Sequence, residues 1–262
     1  MSITKAKNLK NNRHLQIEAL RDTLARKDDL KELVKTYKKV EGALINLNTN
    51  FFWNDKFAEP EKIDVQDAMT REKISTLVNY LPKNKSKILD LGIGQGYLEQ
   101  NLQKLNIRHD IYGIDISETS INRSKNTFKG KFIVGNILDI DKHYENESFD
   151  VIIAIEVIEH ILPKDIFSLY KKVHKLLRKN GVFIISTPTN EGLLEKTSNP
   201  SAHVREYTIP ILKAEFKLAK FQIQELNLLY AFSGFYLIKK TLTKFFPTRW
   251  KPNNIQIKAV KV

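Results

Sequence analysis

Cysteine is absent from the 262-residue chain. Without thiols there is no disulfide framework, no zinc–thiolate or iron–sulfur centre and no cysteine nucleophile. Glycine and proline are sparse, at 10 and 8 residues, while 42% of positions are hydrophobic. A chain so rich in apolar residues and so poor in breakers folds around a core rather than staying disordered. Long hydrophobic runs are missing too. The longest are strand-sized, whereas a membrane span takes roughly 20 apolar residues. The start, MSITKAKNLKNNRHLQ, is basic but lacks an apolar stretch, so a secretory signal is not expected. The expectation is a cytoplasmic globular protein, at most peripheral to a membrane, of one large domain with an appendage.

Acidic residues are outnumbered, 30 against 43 Lys and Arg, a formal net charge of +13. Such a balance invites a nucleic-acid partner. Arginine, however, supplies only 9 of the 43 cations, and arginine is the usual bidentate reader of phosphate and guanine. The excess is also uneven. Residues 1–86 carry 17 basic and 12 acidic side chains, 87–190 carry 14 and 13, and 191–262 carry 12 and 5. The middle is nearly neutral and the excess sits at the two ends, so a nucleic-acid partner is the less favoured reading.

Residues 12–45 predict helices, with Leu15, Ile17, Leu20, Leu24, Leu30, Leu33, Val34 and Tyr37 at three-to-four spacing. Residues 46–60 interrupt that pattern with Asn, Asp and Pro around Phe51, Phe52 and Trp53, and 69–81 predicts a helix ending at Pro82. From Lys87 onward short apolar strands alternate with helices. The expected strands are 87–92, 110–116, 131–137, the start of 149–158, 181–188, 221–230 and 255–262. The stretch 164–178 predicts a helix stopped by Asn180-Gly181. Strands separated by helices of 10–15 residues imply parallel βαβ units. The last strand follows only a short insertion and is expected to be antiparallel. The fold class is α/β, a doubly wound, mostly parallel sheet. The expected division is a helical cap over 1–68 and a larger domain over 69–262 with an insertion at about 231–254.

The sharpest motif is KILDLGIGQGYL, residues 87–98, a strand, a glycine-rich turn and a helix. Glycines at Gly92, Gly94 and Gly96 let the backbone turn tightly and let a ligand approach it. The helix start offers free amides and a positive dipole end. Nineteen residues after Gly96 the next strand ends at Asp115, where a carboxylate can accept both hydroxyls of a ribose. The loop is Gly-x-Gly-x-Gly, not the dinucleotide Gly-x-Gly-x-x-Gly, and no Gly-Lys-Ser/Thr follows it.

With these residues the chain resembles the class I S-adenosylmethionine (SAM)-dependent methyltransferases, which have a seven-stranded Rossmann-like sheet. The resemblance covers about residues 70–225. It rests on Ile88–Gly96, on Asp115, on Gly135-Asn136 where the family usually has Gly-Asp, on Phe149–Ile153 and on Gly181–Pro188. It implies that Asp90 organises the loop and reaches the methionine amine, and that Gly92, Gly94 and Gly96 meet the aminocarboxypropyl end. Asp115 would hold the ribose, Ile116 would pack on the adenine, and Asn136 and Ile137 would read the adenine edge. Glu156 is a further candidate contact to the cofactor.

An acceptor hydroxyl must lose its proton, which calls for a base or a metal. The missing cysteine excludes cytosine C5 methylation through a thiolate adduct. The missing Asn/Asp-Pro-Pro-Tyr/Phe argues against adenine and glutamine amino acceptors. In that place stand Glu156, Glu159 and His160, spaced to share one helical face. With His203 they form a candidate set for Mg²⁺ or another divalent cation. Glu156, His160 and His203 are also the candidate catalytic residues, His160 as acid–base or orienter. Two families share this pattern. One is the small-molecule O-methyltransferases of the ubiquinone-biosynthesis type, the favoured resemblance. The other is the metal-dependent RNA 2′-O-methyltransferases, whose further motif is only imperfectly matched by Pro188–Leu193. A SAM-binding protein without catalysis is the third possibility. Phe51, Phe52 and Trp53 are placed to cover the donor or line an acceptor pocket. The insertion over 231–254 interleaves aromatics with Lys and Arg, a pattern suited to a membrane surface, a lid or a protein interface.

Overall fold

The computed structural model describes residues 48–60, 67–189, 202–205, 207–247 and 249–262. The helices expected over 12–45, and most of the cap over 1–68, lie outside these residues.

Seven strands form one sheet in the order β3-β2-β1-β4-β5-β7-β6. They are β1 Lys87–Leu91, β2 Asp110–Asp115, β3 Lys131–Val134, β4 Phe149–Ile155, β5 Leu177–Pro188, β6 Phe221–Leu229 and β7 Asn254–Lys261. β1 to β5 are mutually parallel, and β7 runs antiparallel to both β5 and β6. β6 therefore points the same way as the parallel strands. The strand order reverses between β1 and β4. There the loops leaving neighbouring strands diverge and open a crevice at the carboxyl edge.

Both faces of the sheet are covered, so its central strands are continuous apolar runs rather than alternating ones. Leu89 and Leu91 of β1 face one core together with α5, Ile166–Leu176, and α6, Ile209–Leu218. Ile88 faces the other core, formed with α2, Ala68–Tyr80, α3, Tyr97–Lys104, and α4, Glu118–Thr127. Ser117 caps α4 through its hydroxyl, which accepts from Ser120 N. No helix among the described residues is long and apolar enough to cross a membrane.

Three local expectations need correction. α5 ends at Leu176 rather than at Asn180-Gly181, because Leu177, fully buried, pairs with Phe149 and already belongs to β5. Asn180 does adopt a left-handed φ of 61°, but inside that strand, beside an irregular register between Phe149 and Val151. β3 stops at Val134. Asn136 then caps a short 3₁₀ turn, Ile137–Lys142, by accepting from Leu138 N at 2.9 Å. Finally, the broken stretch 46–60 contains a helix, α1, Asn50–Lys56, opened by Thr49.

Candidate functional site

β1 delivers Asp90 and Leu91 to the carboxyl edge, and the chain then turns through Gly92, Gly94 and Gly96 into α3. Gly92 has φ +72°, and a Cβ there would sit 2.8 Å from a methyl of Val157. Only glycine meets both demands without strain. Asp115, 4% exposed at the end of β2, clamps this loop. Its Oδ2 accepts from Gly94 N and its Oδ1 from Ser117 N, each at 2.8 Å. Burial raises the Asp115 pKa, and those amides oppose the rise.

Below the loop Asp90 and Glu99 are buried together. Asp90 is held well above its ordinary range by burial and by the charge of Glu99. Burial pushes Glu99 up to about 7. Two carboxyls in one dry site do not ionise together. A hydrogen bond between the two carboxyls, one of them protonated, joins Asp90 to Glu99.

One cleft gathers most of the expected cofactor residues. Gly92, Asp115, Ile116, Asn136, Ile137 and Glu156 line it, with Val157 and His160. Asp90, Gly94 and Gly96 do not form its wall; they shape the loop behind it. Asn136 Oδ1 is engaged by Leu138 N, so the polar group it keeps for a ligand is its amide donor.

The four-residue metal set assembles only in part. Glu159, His160 and His203 offer ligand atoms that all lie within 4.8 Å of one another. Glu156 stands apart. Its φ is +54°, so no helical turn begins there and the three-and-four spacing to Glu159 and His160 is not realised. Its carboxylate is held by Lys73 Nζ at 2.7 Å, by Asn254 Nδ2 at 2.9 and 3.1 Å, and by the Ser186 hydroxyl. Burial would raise its pKa, but Lys73, Ser186 and Asn254 outweigh burial and lower it. Lys73, Ser186 and Asn254 were not among the candidates. They lie 83, 30 and 98 positions away in sequence, beyond the reach of local spacing.

The converging trio is held by backbone. Val204 N and Arg205 N donate to Glu159 O at 3.0 and 3.1 Å. The buried Arg205–Glu215 ion pair then fastens the segment to α6, with Tyr170 OH on Glu215 at 3.1 Å. Ala202 has φ +54°, and its carbonyl meets His160 Nδ1 at 3.3 Å and Asn48 Nδ2 at 2.9 Å. That contact fixes the Nδ1–H tautomer and leaves Nε2 as a lone pair. Burial, and then His203, lower the His160 pKa to about 4. Thr187 Oγ1 donates to Glu159 Oε2 at 2.9 Å, and burial with the Glu156 charge raises the Glu159 pKa well above normal.

α1 covers the cleft. Trp53 and Phe57 line it, Trp53 edge-on to His160 at 4.8 Å and stacked on Phe57 at 5.3 Å. Phe52 packs edge-on to Trp53 at 5.0 Å, whereas Phe51 is 81% exposed. Asn54 Oδ1 accepts from Ser117 Oγ at 2.8 Å, and Arg123 donates to Phe57 O at 2.7 Å. The helix is thus latched to the start of α4, beside the glycine loop.

These residues fit SAM. Asp115 offers a carboxylate where a ribose would lie, and Ile116 and Ile137 give apolar walls for a base. The chain is 31% identical over 139 residues to a ubiquinone biosynthesis O-methyltransferase of Pelagibacter ubique, 52% of this chain and 51% of that protein. It is 32% identical over 119 residues to a carboxy-S-adenosyl-L-methionine synthase of Nautilia profundicola, 44% and 49% of the two chains. The chain thus matches about half the length of these two curated relatives. A SAM-dependent methyltransferase structure from Archaeoglobus fulgidus superimposes with a TM-score of 0.58 at 16% identity, over 80% of this chain and 99% of that one. Residues 82–233 match the family described as a methyltransferase domain. That match spans more than half of the sequence, and the chain belongs to this family, the class I SAM-dependent methyltransferases.

Proposed function

We propose that the protein transfers a methyl group from SAM to an oxygen of a small acceptor molecule. The observation that carries this reading is the His160 imidazole on the cleft. It is neutral near pH 7, and its Nδ1–H is directed at Ala202 O. Nε2 therefore carries the lone pair that would orient an acceptor hydroxyl and take its proton during attack, a weak base on its own at a pKa of about 4, with Glu159 Oε1 3.9 Å from it. When bound, SAM supplies an activated sulfonium methyl, so the protein's task is alignment, deprotonation and exclusion of water. Asp115 and the glycine loop orient the donor. Trp53 and Phe57 shield the cleft and present an apolar wall to the acceptor.

Glu159, His160 and His203 also suit a divalent cation, as two imidazoles and one carboxylate. A cation there would lower the pKa of an acceptor hydroxyl. The RNA 2′-O-methyltransferase reading needs Glu156 in the same set. Glu156 is instead tied to Lys73, Ser186 and Asn254, which favours the small acceptor. The name of the Pelagibacter relative supports oxygen as the atom methylated.

The test uses tritiated SAM and a panel of phenolic, carboxylic and sugar hydroxyl acceptors. The expected outcome is a methylated oxygen product that His160→Ala reduces by roughly 100-fold or more, the usual range for losing a general base, with SAM affinity retained. SAM binding without product from any hydroxyl acceptor would leave only the donor site. Chelation followed by Mg²⁺, Mn²⁺ or Co²⁺ addition decides the metal. Loss and rescue are expected if the trio binds a cation, and indifference removes it.

A further inference from the structure

The connection between β6 and β7 contains a helix whose apolar face points away from the protein. This helix, α7, spans Tyr236–Thr243, and hydrogen bonds from Phe245 N and Phe246 N to Leu242 O extend its winding. Tyr236 and Thr243 turn inward and are buried. Lys240 also turns inward, pairing with Glu72 and donating to Asn227 Oδ1 at 3.0 Å. The opposite face carries Leu237, Ile238, Leu242, Phe245 and Phe246, with Leu237 77% and Phe245 71% exposed. Ile238, Leu242, Phe245 and Phe246 recur at three-to-four spacing, so they form one stripe. A packed amphipathic helix would turn such a stripe to the core.

Charge surrounds this stripe with one sign. Residues 231–254 contain Lys239, Lys240, Lys244, Arg249 and Lys251 and no acidic residue. By helical rotation Lys239 and Lys244 flank the stripe on its two sides. Phe235 adds a strained feature. It opens α7 at φ +51° while 77% exposed, a conformation unfavourable for an aromatic residue and not repaid by burial.

Topology fixes where this face lies. β6 runs with the parallel strands, so its carboxyl end, and the α7 connection with it, lie at the same sheet edge as the cofactor cleft. The connection returns into β7 at Asn254, which holds Glu156.

We infer that α7 and the flanking turn dock on an anionic lipid bilayer, with the aromatic and aliphatic stripe entering the headgroup boundary and Lys239, Lys244, Arg249 and Lys251 meeting lipid phosphates. The commitment to anionic lipid rests on charge complementarity, since every charge of the connection itself is positive and lies beside an outward apolar stripe. This surface is independent of the methyl-transfer chemistry.

The test is co-sedimentation of the full chain with vesicles of phosphatidylcholine alone and of equal parts phosphatidylcholine and phosphatidylglycerol. Binding is expected to the mixed vesicles, and to weaken with salt. The paired variants Phe245→Ser/Phe246→Ser and Lys239→Glu/Lys244→Glu should each reduce it by roughly tenfold or more. Circular dichroism melting and SAM affinity should stay as in the parent, which separates this result from any failure of the donor site. Three outcomes overturn the inference. One is no preference for anionic vesicles. A second is undiminished binding by both variants. The third is absence of vesicle binding while the same substitutions abolish self-association or single-stranded RNA binding.

Discussion

Asp115 accepts amides from the glycine loop and from the start of α4 on its two oxygens, and it lines the cleft. Replacing it removes the clamp and, on the proposed reading, the ribose partner as well. Asp115→Ala should weaken SAM binding by on the order of 100-fold, the loss of about two charge-assisted hydrogen bonds. Isothermal titration measures this, and parent-like affinity would reject the role given to Asp115. Glu99 makes a prediction of the opposite kind, about stability. Its pKa is raised to about 7 by burial, so the fold favours its protonated form. That contribution is present below the ordinary carboxylate pKa and is lost as pH rises through about 7. Melting temperature should therefore fall between pH 5 and pH 8. Glu99→Gln should reduce that dependence, with the proton on Asp90 accounting for a remainder. A melting profile unchanged by the substitution would show that the pair is not the titrating site.

The segment 202–205 and the helix α1 bring distant residues to the cleft, and each does so by a different physical means. Arg205 and Glu215 are buried as an ion pair, and Tyr170 and Tyr207 both donate to Glu215. Glu215→Ala removes the carboxylate paired with a buried guanidinium and should cost about 3–5 kcal/mol in urea unfolding. A cost under about 1 kcal/mol, the range of exposed pairs, would contradict the pair's burial. α1 is different, since none of its residues is buried. Trp53→Ala should therefore change stability little, yet raise the acceptor KM several-fold by opening the wall beside His160. An unchanged KM would mean that α1 is only a surface helix. These two elements also show what a sequence can carry. The glycine loop, Asp115 and the strand–helix alternation were legible because each is a local pattern within one βαβ unit. The cover by Trp53 was legible from aromatics in a polar stretch, though the helix was not. The fate of Glu156 was not legible at all. It depends on a left-handed backbone and on partners from α2, β5 and β7, which only the assembled sheet brings together.

Across the whole molecule, charge and chemistry are segregated. The +13 excess belongs to the two ends of the chain, while the stretch that builds the cleft is nearly neutral. Of the polar groups that line the cleft on the proposed reading, Asp115 is buried and Asn136 is exposed at its mouth. The exposed Lys244, Arg249 and Lys251 lie instead on the α7 connection, at the same edge of the sheet, with the half-buried Lys239 over Phe232. Salt discriminates between these settings. The screening length falls from about 10 Å at 0.1 M to about 3 Å at 1 M, and buried pairs feel this far less than exposed ones. Raising sodium chloride from about 0.1 to about 1 M should thus leave SAM affinity within roughly twofold, while attraction through Lys239, Lys244, Arg249 and Lys251 collapses. Titration calorimetry at several salt concentrations measures the first. A steep loss of SAM affinity with salt would mean that exposed lysines, rather than the buried carboxylates and amides of the cleft, dominate the hold on the cofactor.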